Sequence, residues 1–269
     1  SMGMRRFIFI VVFALVFSLI SVSAQQYMPV KNALVILVGK NGFASVRTKD
    51  DGTFIISKGL GTGTYTLTVT AKGYMRKVIE NIGLNAGVEK DLGDIVLERS
   101  AAIMGKVVGP NGNPVKDVQV ILYDSTNNMI GITRSKDNGF FVFDTNIDTG
   151  VYRIVATPFV LEKMEFKTIN VGFTQFMVPV IKGRTFVEGY SSGEVKGISV
   201  TRGKVRKNIV VKLGVSGIIS GKVTDSNGNP IPNIVVMAYI PGKTFSGFYG
   251  VTDENGVYRI ANNLETGTY

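Results

Sequence analysis

One pattern is printed three times in this chain, and repetition at that fidelity commits it to a single fold used repeatedly. Thr48-Lys49-Asp50-Asp51-Gly52-Thr53-Phe54 leads to Leu60-Gly61-Thr62-Gly63-Thr64-Tyr65. Ser135-Lys136-Asp137-Asn138-Gly139-Phe140-Phe141 leads to Ile147-Asp148-Thr149-Gly150-Val151-Tyr152, and Thr252-Asp253-Glu254-Asn255-Gly256-Val257-Tyr258 to Leu264-Glu265-Thr266-Gly267-Thr268-Tyr269. In every copy the two diagnostic glycines are eleven residues apart. An acidic residue, then Asp or Asn, then Gly makes a tight turn with a positive-φ position, so Gly52, Gly139 and Gly256 are turn residues. The aromatic after the turn opens a strand. Tyr65, Tyr152 and Tyr269 recur too regularly for a ligand box and read as corner residues that bury the ring and return the hydroxyl to backbone.

Between these markers the apolar pattern has period two, with turn residues every eight to twelve positions and no helical period, so the chain is all-β. The run Ala33 to Val38 is apolar on both faces, which predicts a strand covered on both sides. Tyr65, Leu67 and Val69 alternate with Thr66, Thr68 and Thr70, which predicts one buried and one polar face. The second copy predicts seven strands, near 103–108, 118–123, 129–134, 140–144, 152–156, 195–200 and 208–213. The third repeats its opening, Ile219-Ser220-Gly221-Lys222-Val223 before Asn227-Gly228-Asn229-Pro230. Met4-Arg5-Arg6, the apolar run Phe7 to Ile20 and Val22-Ser23-Ala24 have the three parts of a secretory signal. The apolar core is short for a bilayer span, so cleavage before Gln25 is expected over an uncleaved anchor, and the signal segment is the chain's one expected contact with a membrane. The expected organisation is a signal peptide over 1–24, a first sandwich over 25–100, a second over 101–216 and a third over 217–269.

Composition narrows the chemistry. The 269 residues contain no Cys and no His, which removes thiolate chemistry, disulfides, and the commonest general base and metal ligand. Net charge is +10, which suits an acidic cell-surface polymer or glycan as partner. No basic run is interleaved with aromatics in the way nucleic-acid binding asks. The densest basic spot, Gly203-Lys204-Val205-Arg206-Lys207, reads as a solvated turn. Gly242-Lys243-Thr244 resembles the end of a phosphate-binding loop, but Met237 stands where that loop needs its first glycine. The acidic turns Asp50-Asp51, Asp137-Asn138 and Glu254-Asn255 offer too few oxygens for calcium, which takes six to eight. No catalytic residue, cofactor or metal is expected.

The copies are most informative where they differ. Tyr65 to Gly73 is eight residues, whereas Tyr152 to Gly189 is thirty-seven. The extra segment, about Pro158 to Val187, is expected to form a hairpin and carries Phe159, Phe166, Phe173 and Phe176. Two readings stand for these phenylalanines: a ligand surface on an inserted loop, or cover for an open sheet edge. At the front, only Gln25 to Met28 separate the expected cleavage site from Pro29, leaving almost no room for the strand that opens the other copies. Either a stub serves, or an unpaired edge is left for self-association by strand addition. The third copy stops at Tyr269 and is read as incomplete, part of a longer protein. Gly87 to Gly105 and Gly203 to Gly221 each span eighteen residues with no flexible linker, which predicts copies joined at one fixed offset, as in a stiff extended rod.

The order Gly-Lys-Val, turn, Gly-x-Pro-Val, strand, Thr-x-Asp-x-Gly-x-Phe, Leu-x-x-Gly-x-Tyr resembles the carboxypeptidase regulatory-like domain, and also the Cna B-type repeats of surface adhesins. The resemblance implies tandem seven-stranded Ig-like or prealbumin-like β-sandwiches. Cna B-type repeats often form a Lys–Asn isopeptide bond with help from a buried acid. Here Val69 and Ala156 stand at that acid's place, so cross-linking at these sites is not expected. The implied function is a non-enzymatic secreted or cell-surface spacer or adhesion scaffold; the alternative is an accessory or carbohydrate-binding region of a larger extracellular enzyme.

Overall fold

A computed structural model of the chain describes residues 27–171, 173–243 and 247–269. The expected signal segment lies outside the described residues. All regular structure among them is strand, as the period-two pattern requires. The chain divides into two compact units. One holds the described residues through Ala102 with Asp144–Asp148 and Thr201–Lys204; the other holds the described residues of Ile103–Phe143, Thr149–Val200 and Val205–Tyr269, and so contains most of both later copies.

The first unit is built on one antiparallel sheet of β1 (Leu34–Gly39), β2 (Gly42–Arg47), β3 (Gly63–Thr70) and β4 (Lys77–Leu84), in the order β2-β1-β3-β4. Its core is Val35, Leu37, Tyr65, Leu67, Val69 and Ile82, all projecting from one face. Burial of each such side chain contributes about 1.5–3 kcal/mol. Thr66, Thr68 and Thr70 take the other face and are half-buried, as their alternation predicts. The two-sided burial expected for Ala33 to Val38 is not found. Although β1 is a central strand, Ile36 is half-buried and Val38 is exposed, because only one face of this sheet carries a core.

In the second unit, β5 (Ala102–Val108), β6 (Gln119–Tyr123), β7 (Met129–Arg134), β8 (Phe140–Phe143) and β9 (Gly150–Thr157) precede a hairpin of β10 (Phe159–Val171) and β11 (Thr174–Phe186). Then come β12 (Tyr190–Ser191), β13 (Gly193–Val200), β14 (Val205–Lys212) and β15 (Gly214–Val215). Two sheets, β13-β9-β6-β7 and β14-β5-β8, form a sandwich from strands at the seven places read in the sequence. The third copy contributes β16 (Ile219–Lys222), β17 (Val235–Ala238), β18 (Phe248–Val251) and β19 (Val257–Ile260). There β16 pairs β19 and β17 pairs β18, as β5 pairs β8 and β6 pairs β7. Close packing fixes a glycine in each opening strand. A Cβ on Gly105 would lie 2.7 Å from the Phe141 ring, and one on Gly221 would lie 2.6 Å from the Tyr258 hydroxyl.

One side chain organises each turn region. The Ser135 hydroxyl donates to the Val115 carbonyl at 2.8 Å and accepts the Val118 amide at 2.9 Å. Thr48 does the same with Val30 and Ala33, and Thr252 with Ile231 and Ile234. Just beyond it, Gly52, Gly139 and Gly256 sit at φ of 78°, 77° and 73° and close the predicted tight turn. Ser135 is buried, so Ser135→Ala leaves the Val118 amide without its acceptor. Its expected cost is about 1–3 kcal/mol, read as a lower denaturation midpoint in urea. An unchanged midpoint would show that the hydroxyl is dispensable.

Candidate functional site

The inserted hairpin is the largest feature the copies do not share. Its strands are paired over their length: Phe159 opposes Phe186, Phe166 opposes Pro179 and Phe176 opposes Ile169. Phe173 stands at the tip, 110% exposed. The Val187 amide donates to the Pro158 carbonyl at 2.8 Å and closes the ribbon's base.

In each repeated acidic turn one side chain caps its own backbone. Asp51 accepts the Thr53 hydroxyl at 2.6 Å and the Thr53 amide at 3.0 Å, and these bonds hold its carboxyl below the usual range. Asp253 accepts the amides of Asn255 and Val257, and Asn138 that of Phe140. This is turn chemistry of the kind Asp and Asn favour. No group of three or more carboxylates able to hold a metal occurs among the described residues. Asp124 and Asp225 cap two further turns. Asp225 is held below the usual range by the Asn229 side chain and then by backbone amides, and Asp124 by the Asn128 amide first.

The tyrosine corners take their expected form where the hydroxyl partner is seen. Tyr65 is buried and donates to the Gly61 carbonyl at 2.8 Å; Tyr269 donates to the Glu265 carbonyl at 3.0 Å. Tyr152 is buried at the matching position in β9. Val69 and Ala156, at the place of a cross-linking acid, are buried apolar residues on β3 and β9. The basic spot at Gly203 to Lys207 is exposed, at the turn into β14.

A second repeated device escaped the sequence reading. Inside the first unit, Asn146, at φ 55°, donates its amide to the Tyr74 carbonyl at 3.0 Å and accepts the Arg76 amide on its side chain at 3.0 Å. The Ser100 hydroxyl accepts the Ile147 amide at 2.9 Å, and the Ser100 amide reaches the Gly73 carbonyl at 3.0 Å. Inside the second unit the same bonds recur with Asn263, also at φ 55°, on Tyr190 and Ser192, and with Ser216 on Leu264 and Gly189. Ser100 and Ser216 are both buried. The first copy has Gly59 where the others have Asn146 and Asn263, and therefore has no side-chain amide there. In the first unit Arg202 adds ion pairs to Asp148, at 2.7 Å, and to Glu98.

The depressed carboxyls set a pH response. Their folded values lie below the ordinary value of 3.8, so the stability they contribute is present above that pH and is lost as pH falls through the lower folded value. Asp225→Asn is expected to weaken the loss of thermal stability between about pH 5 and pH 2. An identical acid limb in the variant would rule out the Asp225 cap. Tyr65→Phe is expected to cost about 1 kcal/mol through the lost corner bond, measured by thermal melting.

No curated protein matches this chain. Among solved structures, the Bacillus anthracis TIE protein aligns at 17% identity and TM-score 0.25 over 88% of this chain and 41% of its own. This chain thus spans less than half of that protein. A streptococcal ancillary pilin aligns at 13% identity and TM-score 0.30, over 84% of this chain and 70% of the pilin. The D295N mutant of the shaft pilin SpaA from Lactobacillus rhamnosus GG aligns at 10% identity and TM-score 0.32, over 70% and 90%. Residues 21–98 match the family model of the carboxypeptidase regulatory-like domain, and in that stretch the motif resemblance is borne out.

Proposed function

We propose that this chain is a non-enzymatic extracellular scaffold, a serial array of β-sandwich copies that spaces or presents a binding surface. The observation that carries this reading is the recurrence of one hydrogen-bonded lock, Asn146 with Ser100 and Asn263 with Ser216, in both units. A side chain invested twice in tying successive segments serves assembly, not turnover. The acidic turns support the same reading, since their oxygens cap backbone amides. The N-terminal segment read as a secretory signal puts the scaffold outside the cytoplasm. No helix among the described residues is long and apolar enough to cross a membrane.

A second reading, an accessory or carbohydrate-binding region of a larger extracellular enzyme, is favoured by the fully exposed Phe173 at the ribbon tip, since an aromatic held in water suits stacking on a sugar ring. The net positive charge suits an acidic glycan as that ligand. Retention on acidic polysaccharides separates the two. The scaffold reading expects equal retention with and without Pro158 to Val187, whereas loss on deletion assigns the ribbon to glycan binding. Fractionation and N-terminal sequencing of the expressed protein are expected to find it outside the cytoplasm and starting at Gln25. Recovery in the cytoplasm with Met4 or Ser1 retained would sink the extracellular assignment.

A further inference from the structure

The later copies seat their opening strand against the turn glycine. The Val107 amide donates to the Gly139 carbonyl at 2.8 Å, and the Val223 amide to the Gly256 carbonyl at 2.8 Å. Each strand is held again from the segment after the proline, where Val115 donates to Val107 and Ile231 to Val223, both at 3.0 Å. The matching groups of the first copy are the Gly52 carbonyl and the Val30 amide. Among the described residues, no strand lies between them. A Cβ on Gly139 or Gly256 would run into the opening strand's carbonyl, whereas one on Gly52 would meet only Pro29 and Val30.

Burial agrees with this. Phe141 and Phe143 on β8 are 1% and 6% exposed, and Val211 on β14 and Leu213 just after it are 0% and 1%. Their counterparts in the first copy, Phe54, Ile56, Ile95 and Leu97, are only half-buried. Thr53–Ile56 and Leu92–Asp94 border a groove of about 1440 Å³ floored by Leu37, Leu67 and Ile82. In the second copy the strand between the corresponding segments is β5, flanked by β14 and β8.

We infer that this groove takes an extended strand donated by a partner protein, not by a second copy of this chain, with the alternation apolar-x-Gly-x-apolar. The glycine follows from both flanks: a Cβ on Gly105 would run into the Ile209 carbonyl of β14 and meet the Phe141 ring at 2.7 Å, and the counterparts of these residues at the groove are Gly93 and Phe54. Apolar residues on either side are set by the half-buried flanks. Backbone amides and carbonyls of the flanks supply affinity, and alternate side chains supply selection. The chain's own front end is too short once cleaved after Ala24: only Gln25 to Met28 precede Pro29, whereas eight residues lie between Gly105 and Pro114. The inference rests on the extracellular reading only through that cleavage.

The test uses the chain beginning at Gln25 and, as probe, a peptide with the sequence of Ala101 to Val108. One-to-one binding is expected, with the thermal midpoint raised by roughly 5 °C at saturation. The same peptide with leucine in place of its glycine is expected to bind at least about tenfold more weakly, a loss of one decade in Kd. No binding, or equal binding of the two peptides, overturns the proposal. Self-association that excludes the peptide overturns it too, by making a second copy the occupant. Fractionation and N-terminal sequencing of the expressed protein are read separately: peptide binding by a chain recovered uncleaved in the cytoplasm would overturn the extracellular reading and leave the groove assigned.

Discussion

A buried hydroxyl that both gives and accepts a hydrogen bond holds each copy of this fold in register. Thr48, Ser135 and Thr252 each tie the residue after a proline to the start of the next strand. Without that tie, one buried carbonyl and one buried amide would need partners in a part of the chain that has no regular ladder. The positive-φ glycine turn and the aromatic of the following strand are then placed automatically, since they lie four to six residues further on. The tie thus converts a local sequence signature into a fixed relation between elements that are far apart in the chain.

Much of the architecture was legible because it is written in short-range code. Turn glycines announce themselves through the residues before them, and strands through alternation, so β5 to β9, β13 and β14 could be placed from the second copy alone. The tyrosine corners were legible for the same reason, the hydroxyl reaching back only four residues. The hairpin was legible as a difference in length. The lock built on Asn146 and Asn263 was not, because its partners lie about seventy residues away in sequence and neither Asn nor Ser carries a local signature at that range. A signal did exist: Asn146 and Asn263 each stand seven residues after the turn glycine, and Gly73-Tyr74 and Gly189-Tyr190 each begin twenty-seven residues before Ser100 and Ser216.

The reading of β1 failed for a related reason. A run apolar on both faces predicts cover on both faces only if a second layer exists on each. Val38 and Phe43 are exposed because no strand lies over their face among the described residues. The residues of β1 alternate normally; what they cannot report is how many layers their neighbours supply. Likewise, the half-burial of Ile56 and Ile95 goes with the lack of a strand between their segments among the described residues, which no residue near them encodes.

The bond from Val187 to Pro158 closes the base of the ribbon and gives the insertion a degree of independence. Chain enters and leaves the insertion at one sealed point, so the closure entropy of whatever lies beyond is separated from the stability of the sandwich beneath. Loop length enters that entropy only logarithmically, and here even that term is confined to the ribbon itself. The insertion point is therefore a socket for evolutionary novelty: segments of other lengths and compositions can be exchanged there while β9 and β13 keep their pairing.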